Sequence, residues 1–119
     1  MAFMIAQRAF IKVHLITMIE KHQGYGYRML ESMKEDFADL GYVPPVSEIY
    51  RALHDLVQEG VLYRTKQLKG NDPTTDFQEI VIYQFTDAGY EKAELYKKQV
   101  KIDLDRCIAI LKKAVRDNY

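Results

Sequence analysis

The chain has 119 residues, no formal net charge, 48% apolar and 29% charged side chains, and one cysteine. Such a length supplies one core and not two, and zero net charge argues against indiscriminate nucleic-acid binding through a broad basic surface. A lone cysteine excludes an internal disulfide and points to a reducing cytoplasm; no stretch approaches the roughly 20 apolar residues that cross a bilayer, and no secretory signal pattern opens the chain.

In chain order, Phe3 to about His22 reads as a helix. Phe10, Ile11, Val13, Leu15, Ile16, Met18 and Ile19 crowd it so densely that burial on most sides is expected. His14 belongs to this apolar run and is expected to pack, while Arg8 sits near its start as a cation within reach of a phosphate. Gln23-Gly24-Tyr25-Gly26 reads as a turn. A second helix is expected to run to Leu40, with Leu30, Met33, Phe37 and Leu40 inward and Gly41 as its stop. Its Glu31, Lys34, Glu35, Asp36 and Asp39 form a solvated face.

The stretch VPPVSEIYRALHDLVQEGVLYR (Val43 to Arg64) carries the most information. Pro44 and Pro45 block helix continuation and force an extended approach, and Ser47 is the expected N-cap. Ile49, Leu53, Leu56 and Val57 lay one apolar face inward. Ser47, Arg51, His54, Asp55 and Gln58 then project outward, and Gly60 closes the helix. A short helix of this kind, set between another helix and a hairpin, has the form of a DNA-reading helix; an ordinary surface helix has the same pattern.

Val61 to Lys66 and Phe77 to Phe85 are rich in β-branched and aromatic residues, and QLKGNDPTTD between them is made of turn formers. Three helices followed by a hairpin with a long tip give an α+β fold, a winged helix-turn-helix in which the tip is the wing. Thr86 is the expected N-cap of the helix that follows. Charge is local along the chain. Residues 61–70 hold three bases (Arg64, Lys66, Lys69) and no acid, whereas residues 71–85 hold three acids and no base. Any DNA footprint is therefore focused.

From Asp87 to about Asp117 there is neither proline nor a turn cluster, which predicts a helix of about 30 residues, far beyond the mean of roughly 11–12. Ala93, Tyr96, Val100, Leu104, Cys107, Leu111 and Ala114 step by threes and fours as a coiled-coil seam, widened by Ile102, Ile108, Ile110 and Val115. A helix about 45 Å long at 1.5 Å per residue outruns a small core, so its distal half is expected to pair with its own copy across a two-fold axis.

Nothing suggests catalysis. His14, His22 and His54 are scattered, no nucleophile elbow or phosphate loop appears, and Cys107 has no companion for a metal site. The nine tyrosines are dispersed and form no stacking platform for single strands.

QRAFIKVHLITM (Gln7 to Met18), the Tyr25-Gly26 turn, SEIYRALHDLVQEGVL (Ser47 to Leu62), QEIVIYQF (Gln78 to Phe85), AELYKKQVKIDLDRC (Ala93 to Cys107) and the terminal KKAVRDNY together resemble the winged-helix type of bacterial replication terminator protein, collinearly over nearly the whole chain. The resemblance implies one domain over residues 1–119, with a DNA-binding portion at 1–86 and an antiparallel coiled-coil dimerisation helix at 87–117. It also implies a non-enzymatic, cofactor-free, nucleoid-associated homodimer that binds double-stranded terminator sites and blocks the replicative helicase from one side. Carried over by position, Ser47, Glu48, Arg51 and His54 would read the major groove. Arg64, Lys66 and Lys69 would be wing contacts, and Arg8 would lie in an N-terminal arm. Tyr96, Val100, Leu104, Cys107, Ile108, Leu111 and Ala114 would form the dimer interface, and Tyr25 would face the helicase. Two departures imply weaker DNA affinity: the chain begins MAFM where the family has a polar, basic extension, and the wing tip GNDPTTDF is acidic where the family's is basic. Two other readings stay open, a winged-helix transcriptional regulator of the PadR type and a dimeric adaptor that has lost DNA binding.

Overall fold

The computed structural model describes residues 2–21, 23–69 and 78–119, with residues 68, 69, 78 and 79 described by their backbone alone. The wing tip and His22 lie outside the described residues. Helix α1 (Gln7–Glu20) is the central strut. Ile11, Leu15, Ile16, Met18 and Ile19 are all buried, a spread too wide for a one-sided stripe, and the helix packs against α3, α4 and the hairpin at once. It is shorter than the expected Phe3–His22. Residues 2–6 are not helical; the guanidinium of Arg106 instead donates to the backbone carbonyls of Ala2 and Phe3 at 3.1 and 3.2 Å.

Residues 23–26 do more than turn. The Tyr83 N–H donates to the Gly24 carbonyl at 2.8 Å, and Tyr25 pairs in a β-bridge with Ile82. A Cβ on Gly24 would collide with the Tyr83 carbonyl oxygen, so this approach requires glycine. Helix α2 spans Gly26–Glu35 and stops short of Leu40. A 3₁₀ turn (Ala38–Leu40) follows, and Gly41 at φ 83° terminates that turn. The early stop changes the inner stripe. Met29 and Met33 are buried, whereas Leu40 is 81% exposed because the 3.6-residue period no longer governs its direction.

Helix α3 spans Val46–Gln58 and buries Ile49, Ala52, Leu53 and Leu56 against α1. Removing one of these side chains, as in Leu53→Ala, corresponds to a loss of about 2–5 kcal/mol. Pro45, at φ −61° and ψ 139°, is itself the N-cap residue. Ser47 therefore lies inside the first turn and does not cap, contrary to the expectation. The C-terminus follows the pattern read from Gly60, which sits at φ 76°. Its N–H donates to Val57 and that of Val61 to Leu56, a Schellman closure.

Strands β1 (Leu62–Lys69) and β2 (Gln78–Phe85) form an antiparallel hairpin in which Leu62 faces Phe85, Arg64 faces Tyr83 and Lys66 faces Val81. Leu62 and Tyr83 anchor its base in the core. Thr86 does not cap the last helix either. Its hydroxyl donates to the Gly60 carbonyl at 2.6 Å and its N–H to the Val61 carbonyl at 3.1 Å, fastening the end of the hairpin to the end of α3. Gly89 packs so close that a Cβ would strike the Val61 carbonyl. Helix α4 then runs from Gly89 to Asn118, 30 residues, and draws the molecule out to 65 Å along its longest axis. Among the described residues no helix is long and apolar enough to cross a membrane.

Candidate nucleic-acid interface

The outer side of α3 and the first arm of the hairpin share one concave surface. Tyr50, His54 and Val57 of α3, Gly60 of the closing turn, Leu62 and Arg64 of β1, and Tyr83 of β2 line it. The Gly60 closure and the Thr86 bonds tie the end of α3 to the hairpin and so fix the angle between them. Ser47, Arg51 and His54 are exposed along the outer face. Arg64 and Lys66, two residues apart on β1, point to the same side of the hairpin and are both exposed. The side chain of Lys69 lies outside the described residues. Tyr50, absent from the residues expected to read DNA, also belongs to this surface. It stands three residues after Ser47 and four before His54, which places it on the same helical stripe; it is exposed and lines the groove.

The remaining charged positions of α3 are tied inward. Arg8 lies in the first turn of α1 and not in an arm, and its guanidinium grips Glu48 through Nε and Nη2 at 3.3 Å and reaches Asp55 at 3.5 Å. Arg51 also reaches Glu48, at 3.4 Å. Lys12, one helical turn after Arg8, is buried and ion-pairs with Glu59 at 2.8 Å and Asp55 at 3.5 Å. Its ammonium stands 5.9 Å from the centre of the Tyr96 ring. Glu48, a base reader by the family resemblance, and Asp55, expected on the outer face, thus hold α3 onto α1. Burial disfavours the Lys12 charge, but the hydrogen bond and charge of Glu59, with Tyr96 and Asp55, outweigh it and hold the ammonium above its ordinary range. Burial likewise raises the Tyr96 phenol, against the pull of Lys12. His14 hydrogen-bonds Asp36 at 2.6 Å and stacks edge-on against Phe37, which joins α1 to the end of α2.

Tyr25 lies on the opposite edge of β2 from β1, away from the α3 groove. It is 37% exposed, with the Tyr27 ring centre at 6.3 Å and the Arg28 guanidinium at 5.9 Å. A second hollow beside it is lined by Tyr63, Ile82, Gln84, Phe85 and Tyr90.

The seam of α4 divides in two. Ala93, Val100 and Cys107 are buried within the single chain, and Tyr96 packs on its core; Leu104 is half-buried. Val100 and Cys107, expected at the dimer interface, are thus already covered inside one molecule. Beyond them, Ile108, Leu111 and Val115 are 49, 52 and 60% exposed, and Ala114 is exposed with them. Among the described residues no group of His, Cys, Asp and Glu gathers to hold a metal.

A family model described as replication terminator protein matches residues 2–119. The replication termination proteins of Bacillus subtilis and Bacillus spizizenii are each 44% identical over 117 residues, covering 98% of this chain and 92% of theirs. Among solved structures, a candidate transcriptional regulator of Thermoplasma acidophilum superposes with a TM-score of 0.64 at 19% identity, over 89% of this chain and 92% of its own. A transcriptional regulator of Clostridium thermocellum superposes with a TM-score of 0.57 at 17% identity, over 96% and 97%. These two share the winged-helix fold; the identity to both is low.

Proposed function

We propose, on the premise that this chain belongs to the replication terminator protein family and so serves replication termination, that it does so as a homodimer which grips duplex DNA with the α3–β1 groove and stands in the way of the replicative helicase. The observation that carries this reading is the concave surface in which Tyr50 and His54 of α3 meet Arg64 of β1, with Ser47 and Arg51 exposed on the same helix and Lys66 exposed two residues further along the strand. The helix fits a major groove and the wing cations fit the flanking phosphates. Zero net charge makes the exposed Arg51, Arg64 and Lys66 matter, since no general basic field can substitute for them.

The exposed apolar stretch at Ile108, Leu111, Ala114 and Val115 is where a second copy fits, antiparallel across a two-fold axis. Two copies would present two α3 helices to two half-sites. A symmetric dimer on a symmetric site is blind to direction, so one-sided arrest needs unequal half-sites or a helicase-facing patch; the exposed Tyr25 is the candidate for the latter. Such a protein works on the nucleoid, in the cytoplasm.

The test is a helicase-displacement assay on duplexes carrying a site selected from a random pool, in both orientations. Arrest from one side supports the proposal; tight binding without arrest in either orientation overturns it. The likeness to transcriptional regulators favours one alternative, a promoter-binding role. Mapping the chromosomal sites separates the two, since fork arrest requires inverted pairs near the terminus and regulation requires promoters. Binding to duplex that is insensitive to salt, or absent, would point to the adaptor reading.

A further inference from the structure

We infer that Glu48 is a counter-charge that sets specificity at the reading face, an inference that rests on the DNA-binding reading above. Its carboxylate accepts from two guanidinium groups, Arg8 of α1 and Arg51 of α3. The three side chains differ in accessibility: Glu48 is 20% exposed, Arg8 39% and Arg51 66%. One half-sheltered carboxylate therefore restrains two cations from two elements, Arg8 jointly with Asp55, beside the face that would meet DNA. The family resemblance alone would make Glu48 a base reader; its engagement from both sides makes it a restraint on two arginines.

The consequence follows from the acceptors on offer. Arginine is always charged and binds carboxylate, phosphate and the guanine edge in the same forked geometry. With Glu48 in place, an arginine that turns to a phosphate exchanges one anionic acceptor for another and leaves the carboxylate facing the duplex. Random DNA offers little to offset that exchange. A matched site does, because base-edge contacts of α3 form in the same register. Glu48 thus lowers affinity for arbitrary duplex more than affinity for the matched site, and widens the ratio between them.

The experiment measures binding of the unaltered protein, Glu48→Gln and Asp103→Asn to a mixed-sequence duplex and to a selected site, across a range of salt. Asp103→Asn removes the same unit of charge from exposed α4. Glu48→Gln should bind the mixed duplex about tenfold more tightly near 0.1 M salt, and its log K against log salt should steepen by about 0.9 for each arginine newly turned to a phosphate. The selected site should gain less, so the specificity ratio falls, while Asp103→Asn changes neither. Arg8→Gln guards against a folding artefact: it should weaken mixed-duplex binding in the Glu48→Gln background and barely change it in the unaltered one. No gain at the mixed duplex, an equal gain in Asp103→Asn, or a loss confined to the selected site overturns the inference and leaves the DNA-binding reading intact. Absent or salt-insensitive binding by the unaltered protein overturns both.

Discussion

Helix α3 and the distal turns of α4 are both amphipathic, and they differ in what becomes of their apolar side. In α3, Ile49, Ala52, Leu53 and Leu56 are sealed against α1, and the opposite side is left to Ser47, Tyr50, Arg51 and His54. In α4 Ala93, Val100 and Cys107 are sealed, whereas Ile102 between them and Ile108, Leu111 and Val115 beyond them meet solvent. A helix whose apolar face is satisfied can offer its polar face for recognition at no cost to folding. A helix with apolar side chains left over advertises an association, since burying such a side chain contributes about 1.5–3 kcal/mol. In the proposed function the first helix meets the polar, charged duplex and the second meets its own copy.

The largest expected effect breaks the second half of that comparison. Ile108→Glu with Leu111→Glu should abolish the dimer in sedimentation while leaving helical circular dichroism intact, because two unpaired charges in an apolar interface cost several kcal/mol. A dimer that survives both changes would place the contact elsewhere. Val100 is the wrong residue for this purpose: it is buried within one chain, and a charge there would unfold the monomer as well.

The next effect concerns the outer face of α3. Arg51→Ala should cost about 1–3 kcal/mol of site binding and relax preference at one base pair, with an unchanged melting temperature. Lys66→Ala should weaken all sequences evenly and flatten the salt dependence. Equal behaviour of the two variants would erase the distinction between a reading helix and a positioning wing.

A smaller effect lies in the ion network behind α3. The folded pKa values of Lys12 and Tyr96 are both raised, so the folded state holds protons that the unfolded chain releases. That contribution is complete below about pH 10 and is lost as pH rises through the folded values, at no more than about 1.4 kcal/mol per pH unit for each proton. Lys12→Met should flatten the alkaline fall of the melting temperature; an unchanged fall would remove Lys12 from the account. The smallest effect on affinity belongs to Tyr25→Asn, which should leave duplex binding unchanged and shorten helicase arrest. Parallel losses of both would make Tyr25 structural.

Much of this architecture is legible in the residues. The three-and-four spacing of Ile49, Leu53 and Leu56, the Gly60 stop and the 30-residue run without proline each act locally, so the fold and the inward face of α3 follow from sequence. The caps do not. Ser47 and Thr86 have the right chemistry, but Pro45 already holds cap geometry and Thr86 is drawn to Gly60, 26 residues away. The pairing of Arg8 with Glu48, 40 residues apart, depends on how α1 crosses α3. No spacing along the chain signals it, nor the turn of Asp55 from the outer face towards Arg8 and Lys12. The covering of Val100 and Cys107 is hidden for the same reason, while Tyr50 was there to be found by periodicity.

The proposed dimer, paired through distal α4, places two α3–β1 faces on one duplex. Its most direct test is the mass of the complex formed with a site selected from random duplex, measured by sedimentation as salt is raised. Two chains, or an even number, per duplex, released together and with a steep salt dependence, is the predicted result. A single chain bound at full affinity, or a complex indifferent to salt, would contradict it.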